Sequence, residues 1–174
     1  GLPNTPMAGS TVRVLSGNFI TARPVGIVDG IDFQHSGLVR KVDVGGISRT
    51  LDMGALVLLS PFGFSPTGEA FNLSMEEVAT SVAIAMQADK LIFVTEVPGI
   101  PIDPAQPISE DNPIDTELPL DTAVAMLATL PTAQHPTDTG FYLQHCVKAC
   151  KAGVERSHII PFSVDGALLL EVYV

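Results

Sequence analysis

Three stretches of the chain gather groups capable of chemistry. His35 follows Asp29 and Asp32 closely enough to suggest a metal site or an acid–base pair. No second His stands at ligand spacing and the segment is rich in turn residues, so a surface histidine is the expectation. Cys146 and Cys150 lie one helical turn apart, which puts both thiols on one helix face. A CxxxC pair without a nearby His or a second ligand pair is a poor zinc site, so two free structural thiols are expected. The third stretch, Ser60 to Asn72, leaves an apolar strand and runs into a helix start at Ser74. Loops at the C-terminal edge of parallel strands are where open α/β sheets bind ligands, and a helix N-terminus favours an anion. His135 and His145 have no recognisable partners, and there is no Ser-His-Asp arrangement and no Walker-type loop with its Lys.

The elements that must hold these groups follow from pattern. Val12 to Leu15, Phe19 to Ile27 and Leu38 to Val44 read as strands, joined by Ser16-Gly17-Asn18, the Asp29-Gly30 turn and the polar 34–37 segment. Pro24 marks the second of these as an edge or a bulge. Ala55 to Ser60 is a continuous apolar run, the mark of a strand buried on both faces, and Pro61 to Gly68 reads as a loop. Ser74 and Glu77 form a capping box for a helix from about Met75 to Ala88 that buries Val78, Ala79, Val82, Ala85 and Met86. Lys90 to Thr95 is a further strand, which completes a βαβ unit with an expected right-handed crossover. Pro98, Pro101, Pro104, Pro107, Pro113 and Pro119 mark an exposed irregular segment. Asp121 is the expected cap of a helix to Leu130, and Thr139 of one to Ala152, ended by Gly153. Ser157 to Phe162 reads as a buried strand, and the Asp165-Gly166 turn leads into a short helix, Ala167 to Val174.

With 174 residues and 46% apolar composition, the chain can build a core. Its mean hydropathy is +0.36. A net charge of −10 argues against nucleic-acid and anionic-membrane surfaces, which need clustered Lys and Arg. No run approaches the length of a membrane span, no signal peptide is recognisable and free thiols suit a reducing compartment, so the cytoplasm is the expected location.

The stretches Arg13 to Gly37, Ser65-Pro-Thr-Gly-Glu-Ala-Phe-Asn-Leu-Ser74 and Cys146-Val-Lys-Ala-Cys-Lys-Ala-Gly-Val-Glu-Arg-Ser-His-Ile-Ile160, with Asp165-Gly-Ala-Leu-Leu-Leu-Glu171, resemble the amino-acid-kinase-fold domain of the N-acetylglutamate synthase family. The resemblance implies an α/β fold of carbamate-kinase-like type, three-layered with a mostly parallel sheet, incomplete, and with a β-hairpin region near the N-terminus. It covers the later portion of that domain, so residues 1–174 are expected to form a single partial domain. The portion covered is expected to leave out the family's glycine-rich N-terminal lobe segment, its N-terminal helix, the turn after Glu171 and its acetyltransferase domain. The parent family transfers acetyl from acetyl-CoA to L-glutamate in arginine biosynthesis and is inhibited by arginine. No cofactor is expected in this chain, and the resemblance implies homo-oligomers built through the kinase-fold domain.

Site residues carry over position by position. In arginine-sensitive members, the positions matching His158 and Glu171 help line the arginine pocket, with Asp165 and Gly166 beside them. A carboxylate can accept a bidentate guanidinium, and turn amides can take the ligand's α-groups. By the resemblance, Asn72 matches the Asn that holds the acetylated substrate in the related acetylglutamate kinases, Glu76 the position of an Asp that orients two catalytic lysines, and Gly17 a Gly near the phosphates. Glu76 stands where the kinases have an Asp, and Tyr142 stands where they have a lysine that stabilises the transferred phosphoryl group. The segment Asp138-Thr-Gly-Phe-Tyr-Leu143 also lacks their Gly-Gly-Met-x-Pro-Lys pattern. A neutral phenol cannot replace a fixed cation, so these three positions are expected to be vestigial and the chain to hold no catalytic residue. Three readings stay open: an arginine-sensing, oligomerising regulatory domain, an active acetylglutamate kinase, and a purely structural assembly domain. In the last, His158 and Glu171 are incidental, Asn72 shapes a turn and Glu76 favours the helix dipole.

Overall fold

The structure, a computed structural model, describes residue 9 and residues 11–173. It divides into two compact units, Gly1–Val78 and Ala79–Val174.

In the first unit β1 (Val14–Ser16) pairs in parallel with a later strand, while β2 (Ile20–Pro24) opens a second sheet. A hairpin follows, β3 (Ile27–Val28) and β4 (Ile31–Asp32), closed by Asp29 at φ 51° and Gly30 at φ 78°. Two consecutive left-handed residues are what a two-residue hairpin turn of matching twist requires, so the Asp-Gly signal reads correctly. Next come β5 (Gly37–Val42), α1 (Val44–Asp52), β6 (Leu56–Leu58), β7 (Phe62–Phe64) and β8 (Ala70–Asn72). The order β5-β2-β7-β8 forms a four-stranded mixed sheet, and β1 pairs with β6.

Several expectations change here. β2 is flanked by β5 and β7 rather than lying at an edge; Pro24 is tolerated because it is the last residue of the strand, and the bulge falls earlier, between Thr21 and Ala22. α1 was not expected at all. The segment read as loop from Pro61 to Gly68 holds β7 and turns into β8. β6 is shorter than its apolar run and is not buried on both faces: Leu56 and Leu58 are 58% and 62% exposed. The unit's core includes Ile20, Ala22, Ile47, Ala55, Phe71, Leu73 and Val78. Phe71 sits against Gly37 so closely that a Cβ there would lie 2.6 Å from its own Cβ.

α2 (Met75–Met86) spans the division between units. The Ser74 hydroxyl accepts the Glu77 amide at 3.3 Å, half of the expected capping box. The other half is absent because the Glu77 carboxylate accepts the Val39 amide of β5 at 3.1 Å, while Glu76 takes the Ser74 hydroxyl at 2.8 Å. Val78 is buried as expected and Ala79, Val82 and Met86 are half-buried, but Ala85 is exposed and the remaining buried positions are Thr80 and Ala83. The helix stops at Met86 because Gln87 turns left-handed, at φ 49°.

The second unit begins with β9 (Lys90–Thr95), at the expected bounds. β9 pairs in parallel with β10 (Arg156–Pro161) from Lys90↔Arg156 to Thr95↔Pro161. Between them lie α3 (Leu120–Thr129) and α4 (Phe141–Lys151), and α5 (Ala167–Tyr173) follows; Val174 lies outside the described residues. Pro119, not Asp121, caps α3, and Gly140, not Thr139, caps α4, in neither case through a side chain. Gly153, at φ 107°, ends α4 in the expected manner. Ala83, Leu91, Phe93, Ala149 and Val154 form one buried cluster, and Ile100, Ala123, Leu143 and Val147 another.

The proline-rich segment is ordered around one side chain. Asn112 is 9% exposed; its Oδ1 accepts the Asp103 amide at 2.8 Å, and its Nδ2 donates to the carbonyls of Asp103, Gln106 and Pro107 at 2.9, 3.2 and 3.2 Å. Pro101 and Ile114 form a β-bridge, and the Asp115 amide donates to Ile100 O at 2.8 Å. Among the described residues no helix is long and apolar enough to cross a membrane, and there is no closed barrel.

Candidate functional site

The Gly166 turn, with φ 77°, leads from β10 into α5, which packs on β10. This brings His158 and Glu171 together: His158 Nδ1 lies 2.7 Å from Glu171 Oε2, with the two side chains 23% and 34% exposed. The Glu171 carboxylate can accept from Nδ1–H. Nε2 is buried and has no hydrogen-bond partner among the described residues. A buried ring nitrogen without a hydrogen-bond partner is costly unless something fills that place. Lys90 Nζ donates to the Glu171 carbonyl at 2.6 Å, tying α5 to the start of β9.

Both residues line a cavity of about 550 Å³. Its apolar wall includes Ile100, Leu143, Val147 and Leu170, and its carboxylates are Asp115, Glu155 and Glu171, with no Lys or Arg among the described lining residues. Such a site suits a small ligand with a cationic group and an aliphatic body. Asp165 and Gly166 are not in the wall; they form the turn between Val164 and Ala167, which are, and the Gly166 carbonyl is used by the Leu170 amide of α5.

The other predicted residues lie elsewhere. Asn72 is on β8, its amide bonded to His35 O at 2.8 Å and its side chain exposed. Glu76 is in the first turn of α2, and Gly17 follows β1, where a Cβ would press on the Phe19 ring. Gly17 and the Ser60 segment leave the same edge of the β1–β6 pair. Tyr142 packs in an aromatic cluster, 5.3 Å from the Phe93 ring and 5.2 Å from Phe141. His145, for which the sequence offered no partner, has one 65 residues away: its Nδ1 is 3.2 Å from Thr80 Oγ1. No group of three or more His, Cys, Asp or Glu that could hold a metal occurs among the described residues. Sequence reasoning missed Asp115, Glu155 and Ser157 as cavity residues. No local motif marks them, since only the β9–β10 pairing and the Asn112 loop bring them to one wall.

Comparison with known proteins agrees with this architecture. The profile of the Amino acid kinase family matches residues 1–161. An amino-acid acetyltransferase of Ralstonia nicotianae is 54% identical over 99% of this chain, and one of Vibrio atlanticus is 46% identical over 99%. The chain spans only 36% and 38% of those two relatives. The N-acetylglutamate synthase of Neisseria gonorrhoeae, in a structure complexed with coenzyme A and L-arginine, superposes with a TM-score of 0.81 at 33% identity, over 99% of this chain and 37% of that one. A carbamate kinase from Giardia superposes with a TM-score of 0.65 at 16% identity over 92% of this chain and 60% of its own, a likeness of fold. With a family profile spanning nearly the whole sequence and a kinase-like α/β fold beneath it, the chain belongs to the amino acid kinase family.

Proposed function

We propose that this chain is the arginine-sensing regulatory portion of an N-acetylglutamate synthase, whose parent enzyme transfers acetyl from acetyl-CoA to L-glutamate in the cytoplasm. The observation that carries the reading is the His158–Glu171 pair, with a buried, unpartnered Nε2, in a cavity whose charged residues are all acidic. A guanidinium fits this arrangement: it donates to the free oxygen of Glu171 and to His158 Nε2, while its aliphatic stem lies on Val147 and Leu170. Asp165 and Gly166 enter as the turn whose conformation sets the position of α5, and so of Glu171. The L-arginine in the Neisseria gonorrhoeae relative supports the same ligand. Tyr142 in its aromatic cluster supports a domain with no phosphoryl-transfer chemistry, leaving Asn72, Glu76 and Gly17 vestigial. The chain, read as a single partial domain, assembles with copies of itself; exposed Leu56 and Leu58 beside Val14 are the kind of surface that association covers.

Calorimetric titration with L-arginine, with L-lysine as control, tests the reading. Arginine binds saturably and lysine does not, because an ammonium cannot bridge Glu171 and Nε2 as a planar fork does. Glu171→Gln weakens arginine by about ten- to a hundredfold, the value of a hydrogen bond to a charged group. Equal heats for both amino acids, or unchanged arginine affinity in a folded Glu171→Gln chain, refutes it.

A further inference from the structure

The outer face of the four-stranded sheet in the first unit has no part in the cavity described above. Residues opposite one another in a ladder share a face, so the pairings Thr21↔Lys41 and Thr21↔Phe64 put these three side chains on one side of the sheet. Arg23 and Phe62 join them, each two residues along its strand. Ile20, Ala22, Gly63 and Phe71 lie on the other side and are buried. The register shift between Thr21 and Ala22 sets Arg40 as well as Lys41 against Thr21. The four strands thus carry Arg23, Arg40 and Lys41, all exposed, and no Asp or Glu, in a chain of net charge −10. Asp43, which follows β5, has its carboxylate on the Gly46 amide. Phe62 and Phe64, 41% and 37% exposed, meet edge to face with ring centroids 5.3 Å apart. A cationic sheet face with two open rings suits a partner that carries both carboxylates and apolar groups.

The chain holds a surface of that complementary kind. From Leu91 to Val147 it has no Lys or Arg. Within this stretch the loop organised by Asn112 exposes Asp103, Glu110 and Asp111, together with Pro107 and with Ile102 and Ile108 at 59% and 42% exposure. We propose that the 102–111 loop of one copy docks on the Arg23–Arg40–Lys41 face of a second copy. Its carboxylates meet the three cations, and its proline and isoleucine side chains cover the Phe62–Phe64 pair, as proline-rich segments cover aromatic-lined grooves. The Asn112 bonds hold the loop in shape before it binds, which lowers the cost of ordering it. Face and loop differ, so the contact is heterologous, and each copy offers one of each. It rests on the self-association proposed above, and uses a surface other than Leu56 and Leu58. A loop of this length supplies fewer residues than the roughly 20–30 a side of a standard interface, so the association is weak and sensitive to salt.

Sedimentation velocity of the full chain over a range of concentrations tests this contact. Wild-type copies associate, and less so as salt rises. Arg40→Glu with Lys41→Glu, and separately Glu110→Lys with Asp111→Lys, each weaken self-association by more than about tenfold, because each sets like charges together. An equal mixture of the two double variants restores it, since the intact loop of the first meets the intact face of the second. That restoration also requires both variants to be folded, so simple misfolding cannot imitate it. Lys148→Glu with Lys151→Glu, exposed positions on α4, changes the net charge as much as the first pair and leaves association unchanged. A wild-type chain that stays monomeric overturns this contact together with the self-association it rests on. Association that survives either charge reversal, a mixture that stays monomeric, or an equal loss in the α4 variant overturns the contact alone.

Discussion

Asn112→Ala isolates how the proline-rich loop holds its shape. The side chain satisfies one amide and offers two hydrogens to three carbonyls, so one of its donor bonds is shared. Removing it deletes about three bonds, each worth roughly 1 kcal/mol net, and leaves the Asp103 amide without its acceptor. Because the loop can open to water, the loss should stay near the low end, about 2–3 kcal/mol, and should be local. Hydrogen exchange reads this directly. The amides of Ile102 and Asp115, which bond to Pro113 O and Ile100 O across the loop, should exchange about 30- to 150-fold faster, while β9 amides keep their protection. Asn112→Asp should be worse than Ala, since it keeps the acceptor but sets a carboxylate oxygen against carbonyl oxygens. Unchanged exchange in Asn112→Ala, or Asp milder than Ala, would refute the reasoning that this side chain is the loop's organiser.

Two further outcomes follow from the geometry. Gly37→Ala forces a Cβ to within 2.6 Å of Phe71 Cβ and 3.1 Å of the Arg23 carbonyl, so it should cost about 1–3 kcal/mol, seen as a lower urea midpoint. Asp138 accepts the amides of His135 and Gln134, and these bonds hold its carboxyl below the usual 3.8. Its small contribution to the entry of α4 is present above 3.8 and lost as the pH falls through the lowered value; an NMR titration should show the shift, and Asp138→Asn should remove that acid transition from nearby amides.

Where local pattern and tertiary environment agreed, the sequence was legible. Lys90 to Thr95 alternates within a buried pair and forms β9 at those bounds, and Gly153 and Asp29-Gly30 need left-handed backbone that few other residues supply. α1 was missed because Val44-Gly45-Gly46 opens it with poor helix formers; the signal lay in Asp43, whose carboxylate accepts the Gly46 amide at 3.0 Å, and in buried Ile47 and Thr50. The Glu77 half of the capping box failed for a tertiary reason, since Val39 of β5 offers its amide to the same carboxylate. At the site, family resemblance singled out His158 and Glu171 and the structure brings them into contact. Asp115, Glu155 and Ser157 carry no motif, because a cavity wall assembled from a loop, a helix end and a strand has no single periodicity to read.

The pairing of β9 with β10 carries a kinetic consequence. Its two strands are separated by the Asn112 loop, α3 and α4, so the register from Lys90↔Arg156 to Thr95↔Pro161 closes only after a long excursion of the chain. The strand bearing His158, and the α5 helix bearing Glu171 that packs on it, are therefore expected to complete the second unit late in folding and to leave it early in unfolding. A molecule held between them would meet its full set of contacts only in the finished structure. Its stabilisation would appear almost wholly as slower unfolding, with the rate of folding left nearly untouched.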